Sequence, residues 1–161
     1  MLVTSVTQAQ EENKFKGYSF SAKNHFGWTV PHHSNMTYLL QQHAYMLELQ
    51  VAKQTQGKKL WQQHHDFPII QHSFIYLNPG SPDYIGNCYA WLSEISYPKG
   101  KSKWFRSEIS MGAGFGIATQ PFNRLENHKN VAIGSALNLV VRFQYIANFK
   151  LSKRLALESG F

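Results

Sequence analysis

The segment Pro31-His32-His33-Ser34-Asn35 sets a hydroxyl two residues from an imidazole. On an extended chain, residues i and i+2 share a face, so His32 could take the proton of Ser34. Serine-based ester cleavage needs that pair and a carboxylate to orient the base. Glu48, on the strand that follows, is the candidate for the third role. The candidate catalytic set is therefore His32, Ser34 and Glu48. The same stretch has two other readings: a loop in which His32 and His33 bind lipid at a rim, or plain structural hydrogen bonding. Pro31 precedes the pair and Met36 follows it with no glycine, which weighs against catalysis.

The other chemically capable residues point to less. His64-His65-Asp66 offers metal-binding side chains, but neighbours on a strand face opposite ways and no third ligand is set by the sequence. A solvated loop is the preferred reading, and no metal or cofactor is expected. Cys88 is the single cysteine, which excludes an intrachain disulfide. A second group consists of charged residues on otherwise alternating segments: Glu48, Glu94, Arg106, Glu108, Arg142, Arg154 and Glu158. Four acids and three bases nearly balance, as expected of a paired polar interior.

These residues must be placed by strands. Over 105–118 the chain alternates without a fault. Phe105, Ile109, Met111, Phe115 and Ile117 lie in one row; Arg106, Glu108, Gly112, Gly114 and Gly116 lie in the other. At about 3.3 Å per residue this strand spans roughly 45 Å. Period-2 patterns also run over 17–30, 43–54, 69–78, 87–97 and 132–150, and again from 154 to the end. Turn signals separate them, notably Asn78-Pro79-Gly80-Ser81-Pro82 and residues 123–130. No helix is assigned; 36–43 reads as one helical turn or a bulged strand end. Strands at this spacing without helices predict an antiparallel meander. The expected fold is all-β: an up-and-down outer-membrane β-barrel with seven strands present of an expected eight. An open seam should separate the first strand from the last. Residues 1–15 read as a leader remnant or a disordered terminus, and 16–161 as the barrel domain, incomplete at its carboxyl end.

The chain has 161 residues, 43% hydrophobic and 14% aromatic, with a formal charge of +7. Its mean hydropathy is −0.36. No run of about 18 apolar residues exists, which excludes a membrane-spanning helix but not a barrel whose strands are apolar at alternate positions. The positive charge lies in turns, at Lys58 and Lys59, at Lys99, Lys101 and Lys103, and at Arg124 and Lys129. No basic helix or stacking motif accompanies it, so nucleic acid is not an expected partner.

Several stretches, in order, resemble the acyloxyacyl hydrolase or lipid A 3-O-deacylase (PagL-type) family in its longer, Bacteroidetes-like form. They are Phe26-Gly27 through Pro31-His32-His33 to Met36; Leu39, His43 and Glu48-Leu49; Gly57-Lys58-Lys59-Leu60-Trp61 with Pro68; and Tyr84-Ile85-Gly86-Asn87. Gly112-Ala113-Gly114-Phe115-Gly116 and Asn130-Val131-Ala132-Ile133-Gly134-Ser135 with Asn138 complete the set. The resemblance covers about 17–161. It implies an eight-stranded barrel in the cell outer membrane that removes an ester-linked acyl chain from lipid A of lipopolysaccharide. It also implies a catalytic His-x-Ser-Asn segment directly after a strand ending like 157–161, so the catalytic residues are expected beyond Phe161. Two alternatives compete: a non-enzymatic small outer-membrane barrel serving structure or adhesion, and a soluble lipocalin-like ligand-binding barrel. The last needs an apolar interior.

Overall fold

The computed structural model describes residues 2–7, 17–31, 34–99, 102, 104–150 and 156–160. Six long strands carry the architecture: β2 (Tyr18–Gly27), β3 (Ala44–Gln54), β4 (Ile69–Asn78), β5 (Cys88–Lys99), β6 (Phe105–Ala118) and β7 (Leu137–Lys150). Each pairs antiparallel with the next. The right-handed twist of so many strands curls the sheet. By itself the six-stranded sheet stays open, with its edges 12 Å apart. Neighbouring strands lie about 4.8 Å apart, and on a ring of eight strands three such spacings subtend about 12 Å, so that gap has room for two more. Two short strands occupy it, β1 (Leu2–Thr7) beside β2 and β8 (Ala156–Gly160) beside β7. They complete the ring by meeting over Leu2↔Ser159 and Val3↔Glu158.

This corrects the expected fold. The expected seven-strand wall with its seam between 17–30 and the chain end is instead a six-stranded half-barrel finished by two short strands. One of these, β1, falls within the stretch read as a leader or disordered terminus, where no long alternation exists to announce it. An outer-membrane location and a transmembrane wall were inferred from a continuous barrel of long strands, and neither is retained. Among the described residues, no helix is long and apolar enough to cross a membrane. The helical content is a six-residue 3-10 helix, Ser34–Leu39, and α1 (Leu60–His64). Residues 36–43 were expected to hold one helical turn or a bulged end. His64 and His65, read as solvated loop, belong to α1 and its carboxyl cap.

Side chains alternate along the body of the wall. Phe20, Leu49, Phe74, Trp91, Phe115, Leu139, Val141 and Phe143 are exposed on the outside. Lys23, His25, Glu48, Gln50, Gln71, Ser73, Glu94, Ser96 and Ser110 are buried inside. The glycines of β6 belong to the inward row. A Cβ on Gly114 would overlap the Trp91 carbonyl oxygen, and one on Gly112 would overlap the Glu94 side chain. Their absence lets β5 and β6 close tightly at this point of the curl.

Candidate functional site

The meander decides which inward residues share an end of the barrel. β3, β5 and β7 start, and β4 and β6 finish, at the end that carries the loops 28–43, 79–87 and 119–136. At that end the inward positions include Met46, Ile75, Leu77, Cys88, Ala90, Leu92, Gly116, Ala118 and Val140, with His25 on β2 and Asn138 on β7 as polar exceptions. One step further in, β3, β4, β5 and β7 turn polar, at Glu48, Ser73, Glu94 and Arg142. The interior thus has an apolar upper part resting on a charged floor.

The floor is built around Arg142. Its Nη2 donates to Glu48 Oε1 at 2.7 Å, its Nη1 to Glu48 Oε2 at 3.1 Å, and its Nε to Glu94 Oε1 at 2.7 Å. Nη2 also reaches Glu94 Oε2. Register explains the meeting: Glu94 pairs with Gly112, and Gly112 pairs with Arg142. The missing side chain between them leaves the path for the guanidinium. Ser73 donates to Glu48 Oε1 at 2.6 Å, and His25 Nε2 lies 3.0 Å from Glu48 Oε2. Burial alone would raise the Glu48 pKa. The hydrogen bonds from His25 and Arg142, with the guanidinium charge, outweigh it and hold the carboxyl well below the usual carboxylate range. Burial also opposes the charge on Arg142, but Glu94 and Glu48 reverse the effect and keep it protonated. Below the floor the polar filling continues through Gln71 to Ser110 and Ser96 to Glu108. Arg106 Nε sits 3.4 Å from Glu108 at the opposite rim. The side chains of Arg154 and Glu158 lie outside the described residues.

Above the floor lies a cavity of about 390 Å³. Met46, Ile75, Leu77, Ala90, Leu92 and Val140 line it, and Arg142 forms its base. Leu92 is 1% exposed and Ile75 5%. The lining reaches the outward residues Tyr89 and Ile117 around Gly116, where no side chain thickens the wall. Cys88 also faces the cavity, and burial pushes its thiol pKa up, away from the reactive thiolate.

The loops at this end are tied to one another. Gln41 and Gln42 donate backbone N–H groups to the Gly80 carbonyl. Gly80 has a positive φ of 80°, and a Cβ there would overlap the Gln42 carbonyl oxygen. Tyr38 donates to the Lys129 carbonyl at 2.6 Å, and Asn127 to the Tyr84 carbonyl at 2.8 Å. Asn130 is fully buried; it donates to Gln120 and accepts from the N–H groups of Ala132 and Ile133. Met36, Leu39 and Ile85 are the buried apolar side chains of these loops.

Of the residues singled out for catalysis, Ser34 and Glu48 lie within the described residues. His32 and His33, the candidates for base and rim binding, lie outside the described residues. Ser34 opens the 3-10 helix. The hydrogen-bond partners of Glu48 are His25, Gln50, Ser73 and Arg142. The buried hydroxyl near that carboxylate, Ser73, donates to Glu48 rather than to an imidazole, so no base is poised to take its proton. Among the described residues, no group of three or more His, Cys, Asp or Glu side chains could hold a metal ion.

The chain matches no family model, no characterised protein and no solved structure. The resemblance to lipid A deacylases therefore gains no support, and with the half-barrel architecture the deacylase reading is set aside. Sequence reasoning missed the cavity-lining residues Met46, Ile75, Leu77, Leu92 and Val140. A signal was available: in a meander, apolar inward residues late in even strands and early in odd strands fall at one end.

Proposed function

We propose that this chain is a non-enzymatic binding domain that holds a small apolar molecule inside the curled sheet. The observation that carries the reading is the 390 Å³ cavity, apolar on its sides and sealed below by the Arg142 cluster. Ligand sites commonly occupy about 300–1,000 Å³ and combine an apolar lining with few polar groups. An ion cluster in which each charge has an opposite partner suits a rigid floor better than a reaction centre. Glu48 is held ionised and Arg142 protonated, so neither exchanges protons near neutral pH.

The test is calorimetric titration with 2-octanone, an uncharged apolar ketone. Saturable one-to-one binding is expected, and Ala90→Phe, which fills the cavity from its wall, should abolish it while the folded circular dichroism spectrum persists. Equal binding by the wild type and the filled variant would place the ligand elsewhere and end this reading.

A further inference from the structure

We infer that the ligand of this cavity is a neutral molecule with one hydrogen-bond acceptor oxygen, such as a ketone, ester or alcohol, and not a carboxylate or an alkane. The inference rests on the binding reading above and derives from the donors left at the floor. A guanidinium has five N–H donors. Arg142 spends Nε on Glu94, both Nη2 hydrogens on Glu48 and Glu94, and one Nη1 hydrogen on Glu48. One Nη1 hydrogen has no protein acceptor among the described residues, and Arg142 lines the cavity. A donor left over at the base of an apolar cavity favours a ligand that supplies an acceptor.

Charge decides which acceptor. The floor already balances its charges: Glu48 and Glu94 face Arg142, and the buried Lys23 stands directly across from Glu48 in the β2–β3 register. A ligand carboxylate would add a net negative charge to this balanced set, and would be stripped of water by the apolar walls. A ketone or ester oxygen completes the donor set without adding charge. An alkane fills the same walls and leaves the N–H unpaired.

The experiment is methyl NMR on the full chain, titrated separately with octane, 2-octanone and octanoate at pH 7.5. The methyl groups of Leu92, Ile75 and Val140 report the cavity, and Leu139, 73% exposed on the outer face, reports adsorption outside. The expected result is that 2-octanone moves the inner methyls with a Kd about tenfold below that of the other two, since hydrogen bonds to charged groups are worth roughly that factor or more. It should also shift the Arg142 guanidinium resonance. Octanoate binding inside as tightly as 2-octanone would overturn the inference and leave the binding reading intact. Octane matching 2-octanone would overturn the role of the Arg142 donor. If all three move Leu139 and none moves Leu92, the inference and the binding reading both fail.

Discussion

Arg142 is the residue on which the interior depends. Removing one partner of a buried ion cluster strands the others without compensation, at a cost of about 3–5 kcal/mol. Arg142→Ala should therefore lower the unfolding free energy by an amount in that range, with Glu48 and Glu94 left unpaired. Adding Glu48→Gln and Glu94→Gln to it should recover part of the loss; no recovery would show that packing, not charge, holds the floor. Glu48 gives the floor a pH dependence of known sign. Its folded-state pKa lies below the ordinary value of 4.5. A depressed carboxyl contributes its stability in full above that ordinary value and loses it as pH falls toward the folded pKa. Unfolding free energy should thus decline from about pH 5 downward, and Glu48→Gln should flatten the decline. The charged residues were legible in the sequence because alternation put Glu48, Glu94 and Arg142 on inward rows. Their partnership was not, because it depends on the register across Gly112, which no pattern within one strand contains. The bond of His25 to the central carboxylate was hidden for the same reason.

At the scale of the strand, the inward glycines of β6 set how closely β5 approaches. Gly114→Ala would drive a methyl into the Trp91 carbonyl. Overpacking of this kind costs about 1–3 kcal/mol or more, and here backbone must move. The expected outcome is a large loss of stability and faster amide exchange along β5 and β6. Gly27→Ala, with nothing within 4 Å of the added Cβ, should be nearly silent in the same assay. A silent Gly114→Ala would contradict the close approach. The long strands were readable because period-2 alternation over ten or more residues has few rivals. The short elements were not. β1 has six residues and α1 has five, too few for a period to show. Their placement follows from the edges of the curled sheet and from the αL turn at Asp66 and Phe67 that ends the α1 loop.

At the scale of the molecule, the polarity gradient inside the barrel is the functional feature. Apolar residues gather at the capped end because the meander brings alternate strand ends together, and the charged floor keeps the cavity from running through. The outer face is a separate matter. Exposed Phe20, Leu49, Phe74, Trp91 and Phe143 form an apolar surface of the kind that marks interaction sites, and it carries shallow grooves over Ala22 flanked by Leu49 and Phe74. An apolar ligand therefore has two places to go, and the account depends on which it takes. The direct measurement is anomalous diffraction from crystals soaked with a brominated eight-carbon ketone. The account predicts a bromine peak within the wall, among Ile75, Leu92 and Val140, with the ketone oxygen toward Arg142. A peak confined to the outer groove over Ala22 and Phe74, with the inner cavity empty, would contradict it.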